Sequence, residues 1–243
     1  MTRRSPRAAL FAIPLAAGLL LAPSPSRAAP DEVDFLFRLG MMEGHLIVGY
    51  ELLQAGKKGL AMPHFGHPVR ELYDDIADTV KAKNIPPFNT QLIKLEAAVA
   101  AAPTSPQTKA MYQAMIETLH KARAAVPDSI RASVPEMIKI CADTVDAAAG
   151  EYGEAVNRGK IDQLVEYHDS RGYITYVAQQ TAELKAANPD PANLALIDKF
   201  NTVLAKAQYI VQPLIPAPKP RATVAEYRAV ATEAASLAKT EGK

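Results

Sequence analysis

From Asp31 onward, apolar residues recur at spacings of three and four, and no stretch alternates apolar with polar over the length of a strand. Ala, Leu, Glu, Lys and Gln, strong helix formers, dominate the same region. Proline-containing breaks at 84–90, 102–107, 126–135, 187–192 and 212–220 cut it into helix-sized pieces. The pattern predicts helices near 31–55, 68–83, 89–102, 106–125, 134–158, 161–187, 191–211 and 222–240. The expected fold is therefore an all-α bundle of about seven to eight helices. Ser133-Val134-Pro135-Glu136 has capping-box spacing at the start of the fifth helix. Gly56 and Gly159 supply left-handed caps at the ends of the first and fifth.

The first helix is apolar on nearly every face, through Phe35, Leu36, Phe37, Leu39, Met41, Met42, Leu46, Ile47, Val48, Leu52 and Leu53. A helix of that kind is central, so His45 is expected inside the protein. A hairpin centred near Lys58 sets His45 level with Glu71, and Gly49 level with His67. Gly44 and Gly49 leave room beside His45. A second hairpin, centred near Ile161, sets Glu154 level with His168, which continues the apolar face of Ile161, Leu164 and Val165. Glu51 to Lys57 parallels Glu154 to Lys160, and His67-Pro-Val-Arg70 parallels His168-Asp-Ser-Arg171. The two hairpins read as pseudo-repeated antiparallel units.

Before this helical region, Arg3, Arg4 and Arg7 precede an apolar run from Ala8 to Ala22, and Ser26-Arg27-Ala28 offers small residues for cleavage. This is the pattern of a secretory signal peptide, with a run shorter than the roughly 20 residues of a membrane span. Its removal takes Lys+Arg from 27 to 23 against 26 acidic residues, changing the net charge from +1 to −3. That balance lacks the basic field of a nucleic-acid binder. The expected organisation is a signal peptide at 1–28, a first helical half at 29–127, a second at 128–212, and a Pro-rich connector with a C-terminal helix at 213–243. The expected location is the periplasm, with no transmembrane span in the mature chain. Cys141 has no partner for a disulfide, and its helically spaced neighbours Met137, Ile140, Val145 and Ala148 bury it as an inert thiol.

The chain has none of the usual catalytic signatures: Gly-x-Ser-x-Gly, His-Glu-x-x-His, Cys-x-x-Cys-His and phosphate-cradling glycine loops are all missing. The sequence thus leans away from an enzyme. What remains is imidazole and carboxylate on facing helices, the means by which bundles build metal sites. The candidate ligands are His45, His67 and Glu71, joined by His168 and Glu154 if the two halves meet. The candidate ions are iron and copper. On a regular helical wheel, however, His67, Glu71, Asp74 and Asp78 lie opposite the core face of Phe65, Val69, Leu72, Ile76 and Val80. Pro68 opening the second helix would instead leave His64 and His67 in a loop. His120 has no histidine or acidic neighbour at useful spacing.

In architecture, with a histidine–carboxylate patch on an exported bundle, the chain resembles the imelysin-like family of periplasmic iron-associated proteins. That family carries a Gly-x-His-x-x-Glu motif. Here Glu43-Gly44-His45 is followed by Val48 at the glutamate position, and after His67 the acid arrives one residue late, at Glu71. The resemblance is one of architecture, and the motif does not extend it to a family assignment. The leading expectation is a periplasmic metal-binding protein whose partner is a metal ion or a periplasmic protein. The alternatives are a helical scaffold without metal, or a carrier of a small organic ligand.

Overall fold

Helix α1 (Ala29–Gln54) is the wall shared by both parts of the protein. The computed structural model describes residues 29–240; the signal-peptide reading of 1–28 lies outside them. On one side α1 packs against α2 (Lys58–His67), α3 (Tyr73–Ala82) and α5 (Pro106–Ala124), while α4 (Asn89–Ala101) closes that side against α2 and α5. There Phe35, Leu39, Met42, Leu46 and Leu52 meet Phe65, Ile76, Leu92, Leu95, Met115 and Leu119. On the other side it lies along α8 (Leu164–Ala187) and α7 (Val134–Ala155), which with α9 (Pro191–Ile210) and α10 (Val224–Thr240) enclose a second core. That core is rich in tyrosine: Tyr152, Tyr167, Tyr173, Tyr176 and Tyr227 pack with Ile197, Phe200 and Val203. A short helix, α6 (Asp128–Arg131), fills the break between the halves. The architecture is the all-α bundle that the periodicity requires.

Local chemistry sets the boundaries. Ser105, Ser133 and Asp190 each accept a backbone N–H of the helix they precede, and proline occupies the first turn of α5, α7 and α9. Thr223 and Glu226 close a reciprocal capping box before α10. Gly56 (φ 70°) ends α1 in the left-handed region.

Three expectations change. The second helix begins at Lys58, directly after the Gly56 cap, and runs through Pro68 to Ala82 with a π-helical turn at Pro68–Leu72. Pro68 has no N–H for the carbonyl one turn back, and the wider turn absorbs that loss. His64 and His67 are therefore helical rather than in a loop. The α1–α2 turn is also centred earlier than Lys58: a Cβ on Gly49 would lie 3.2 Å from His64 Cβ, so Gly49 is level with His64 rather than His67. Third, the α7–α8 connection is not a plain helical hairpin. Strand β1 (Val156–Asn157) pairs antiparallel with β2 (Lys160–Ile161) through a turn with Arg158 and Gly159 at φ 48° and 74°. Two consecutive positive φ values are what a tight β-hairpin turn needs, and Gly159 meets one of them without strain.

Candidate metal centre

The centre forms where α1, α2 and α8 cross, and glycines determine how closely they cross. A Cβ on Gly172 of α8 would lie 2.3 Å from the Gly44 carbonyl oxygen of α1, and one on Gly44 would lie 2.8 Å from the Tyr173 ring. Only hydrogen at these positions lets the two backbones touch. His45 follows Gly44, and Asp169 stands one turn before Gly172, so the contact delivers an imidazole to a carboxylate. From α2, His64 and His67 sit three residues apart on one face and arrive from the second side.

Three Nδ1 atoms converge on Asp169. His45 Nδ1 is 2.6 Å and His64 Nδ1 2.7 Å from Oδ1, while His67 Nδ1 is 3.2 Å from Oδ2 without hydrogen-bonding geometry. The four side chains offer ligand atoms that all lie within 4.8 Å of one another. His45 is 2% exposed, His64 0% and Asp169 4%; His67, at 16%, is the member of the group nearest solvent. Tyr173 Oη, at 2.8 Å, holds His45 Nε2 and fixes its ring.

The electrostatics follow from burial and crowding. Burial alone would raise the Asp169 carboxyl, but the charge of His45 and the three imidazoles around it hold it well below the usual carboxylate range. Burial lowers His64 despite its bond to Asp169. For His67 burial is outweighed by Asp169 and then Glu71, and its pKa rises. Glu151 of α7, half-buried and facing the charges of Asp169, Glu166 and Glu71, is raised to about 7.

Of the sequence candidates, the structure brings His45 and His67 into the centre. Glu71 lies outside it, 57% exposed, with Oε1 3.8 Å from His67 Nε2. His168 is fully buried behind His64, its ring centre 5.6 Å from that of His64, and its Nε2 donates to the Leu214 carbonyl at 2.8 Å. Glu154 is exposed beside the 156–161 turn, because the β-hairpin shifts the α7–α8 register. The centre has two members that the candidate set lacks, His64 and Asp169. His64-x-x-His67 was a legible signal, since positions three apart share a helix face. Asp169 is harder to see: α8 buries residues on nearly all sides here, from Tyr167 through Ser170 and on to Ile174, so no amphipathic stripe marks it.

Outside the centre, His120 has a partner that spacing could not reveal: its Nε2 donates to the buried Glu43 carboxylate at 2.9 Å, which raises its pKa. Cys141 is buried, and its thiol is pushed up to about 12 by burial. Among the described residues no helix is long and apolar enough to cross a membrane.

Residues 127–241 match the family model of the iron permease-associated 4-helix bundle domain. The match covers just under half of the chain and takes in α6 to α10, so the four long helices α7–α10 are the bundle it describes. It points to iron handling. No curated protein and no solved structure matches the chain. Asp169 lies within the matched span, whereas His45, His64 and His67 all come from the part before it.

Proposed function

We propose that this protein is an exported, non-enzymatic iron carrier that holds one cation between α1, α2 and α8, with His45, His64, His67 and Asp169 as ligands. The convergence of three imidazole nitrogens on one buried carboxylate carries this reading. Ligand atoms that share an ion at about 2.1 Å stand about 3.0 Å apart at right angles and about 4.2 Å apart across it. His45 and His64 Nδ1 stand 2.6 and 2.7 Å from Asp169 Oδ1 and His67 Nδ1 3.2 Å from Oδ2, near the first value. The 4.8 Å spread of the group is wider than the second, so the side chains close in by a few tenths of an ångström around an ion.

A neutral imidazole trio with one carboxylate suits a borderline divalent ion such as Fe(II), and the hard oxygen ligand disfavours Cu(I). The family match adds iron to the same choice. The four ligands leave room for further ligands on the ion, and His67 is the side from which cargo enters and leaves, past Glu71. An iron permease is the partner class that the matched domain's description suggests. Export rests on the basic, apolar and small-residue succession of 1–28.

Anaerobic titration of the full-length mature protein with Fe(II), Zn(II) and Cu(I) tests the site. One Fe(II) per chain, lost in His64→Ala and His45→Ala proteins that still fold, supports it. A wild-type protein that takes up none of the three ions refutes it and favours a scaffold or an organic-ligand carrier.

A further inference from the structure

We propose that His168 is a positioning residue for the centre: when a cation occupies His64 Nδ1, His64 Nε2–H donates to His168 Nδ1, and the Leu214 carbonyl anchors the His168 ring from behind. The inference rests on the reading of His64 as a ligand. Two buried nitrogens motivate it. His64 Nε2 and His168 Nδ1 both lack a hydrogen-bond partner, although both side chains are fully buried. Their rings stand nearly perpendicular with centres 5.6 Å apart. Two imidazoles joined nitrogen to nitrogen by a bond of about 2.9 Å have centres about 5.2 Å apart, a few tenths of an ångström from the separation of this pair.

Proton placement explains why the two atoms stand unpaired and how an ion changes that. A carbonyl oxygen can only accept, so the Leu214 contact puts the His168 proton on Nε2 and leaves a lone pair on Nδ1. A second proton on Nδ1 would be a fully buried charge with no partner, so the ring stays neutral. On His64, a proton on Nδ1 donates to Asp169 Oδ1 at 2.7 Å and leaves a lone pair on Nε2. Two lone pairs do not bond. A cation that takes Nδ1 displaces that proton, and the neutral ring then carries its one proton on Nε2, where the His168 lone pair accepts it. His64 changes tautomer with no net gain or loss of a proton. Metal-bound histidines are commonly oriented by an acceptor on the other ring nitrogen.

The anchor is itself held. Leu214 belongs to the segment between α9 and α10, which α8 straps down through Arg171 to the Val211 and Gln212 carbonyls and through Tyr167 Oη to the Pro213 carbonyl at 2.8 Å.

Two amide variants separate the two sides of the ring. In His168→Asn the side-chain oxygen stands near the Nδ1 position, so the acceptor survives and the Leu214 bond is lost. In His168→Gln the amide nitrogen stands near Nε2, so the Leu214 bond survives and the acceptor is lost. The probe is Zn(II), a diamagnetic ion that the same donors accept, measured by competition titration alongside the melting temperature of the metal-free protein. His168→Gln is expected to bind Zn(II) about 10–100-fold more weakly, and His168→Asn to stay within about threefold of wild type. Stability should run the other way, with His168→Asn melting lower. Ring 15N shifts should place the His64 proton on Nε2 in the Zn(II) form. His168→Gln binding like wild type, or affinity falling in step with melting temperature across both variants, overturns the proposal while the site itself stands. A wild-type protein that takes no Zn(II) fails at the ligand set and removes the proposal with it.

Discussion

Replacing Gly172 by alanine tests whether the α1–α8 crossing builds the centre. The added Cβ would lie 2.3 Å from the Gly44 carbonyl oxygen, 2.9 Å from its carbonyl carbon and 3.0 Å from Val48 Cγ1. The nearest two atoms are backbone and cannot rotate aside. Restoring an ordinary 3.4 Å contact means separating the helices by 1.1 Å along that direction. A rigid shift of that size would lengthen the His45–Asp169 contact from 2.6 Å to at most about 3.7 Å, the upper end lying beyond hydrogen-bond range. Overpacking of this kind costs about 1–3 kcal/mol. The ion loses a ligand position, and affinity for Fe(II) is expected to fall by about 10–100-fold, the range seen when a ligand's support is removed. Gly153→Ala is the control: its Cβ would meet only Val224 Cγ1, at 3.6 Å, and its stability should match or slightly exceed wild type. Urea denaturation reads the first effect and anaerobic titration the second. A Gly172→Ala protein with wild-type stability and affinity would show that the crossing does not position the site.

Asp169→Asn removes the charge on which three imidazoles converge; Fe(II) binding is expected to fall below detection in titration, while denaturation shows a loss of about 1–3 kcal/mol from the imperfectly satisfied buried group. Glu154→Gln should leave Fe(II) affinity unchanged, and Glu71→Gln should weaken it by less than about tenfold, because neither carboxylate reaches the ligand group; a large loss in either would return it to the ligand set. Stability of the metal-free protein depends on pH through His168. Its unfolded form takes a proton near 6.5, the folded form only at about 4, so stability is full above 6.5 and declines as pH falls through that window, by about 3 kcal/mol in all. His67 and His120, both raised, oppose this trend, so denaturation curves from pH 7 to 4 are compared between wild type and His168→Gln, and a wild type that loses no more stability than the variant would contradict the neutral, buried His168. His67, raised by Asp169 and Glu71, protonates above 6.5, so Fe(II) affinity should begin to decline above that pH on acidification, as titrations between pH 8 and 6 would show.

Periodicity made the bundle legible because the helices obey local rules. Ser133, Pro135 and Gly56 fix their boundaries through nearest neighbours, and the all-round apolar face of α1 forces His45 inside. The centre was only half legible because it depends on crossings. A regular wheel turns His67 outward, whereas the early start of α2 at Lys58 and the π-helical turn after Pro68 point His64 and His67 inward and leave Glu71 outside. Glu154 drops out because Arg158 and Gly159 form a tight strand turn, which no spacing of charged residues announces. Asp169 has no marker of its own; the nearest is Gly172, the glycine of α8, one turn away and beside Tyr173.

The composite nature of the centre, three histidines from before the matched domain and one aspartate within it, makes the whole chain the unit to examine. The most direct test is metal analysis of the untagged full-length protein, purified without chelators from cells grown with iron, zinc and copper present. Iron at close to one atom per chain, retained through gel filtration and absent from the Asp169→Asn protein prepared alongside, is the predicted result. A preparation carrying no stoichiometric metal, and binding none of the three ions more tightly than about 10 μM on titration, would contradict the account.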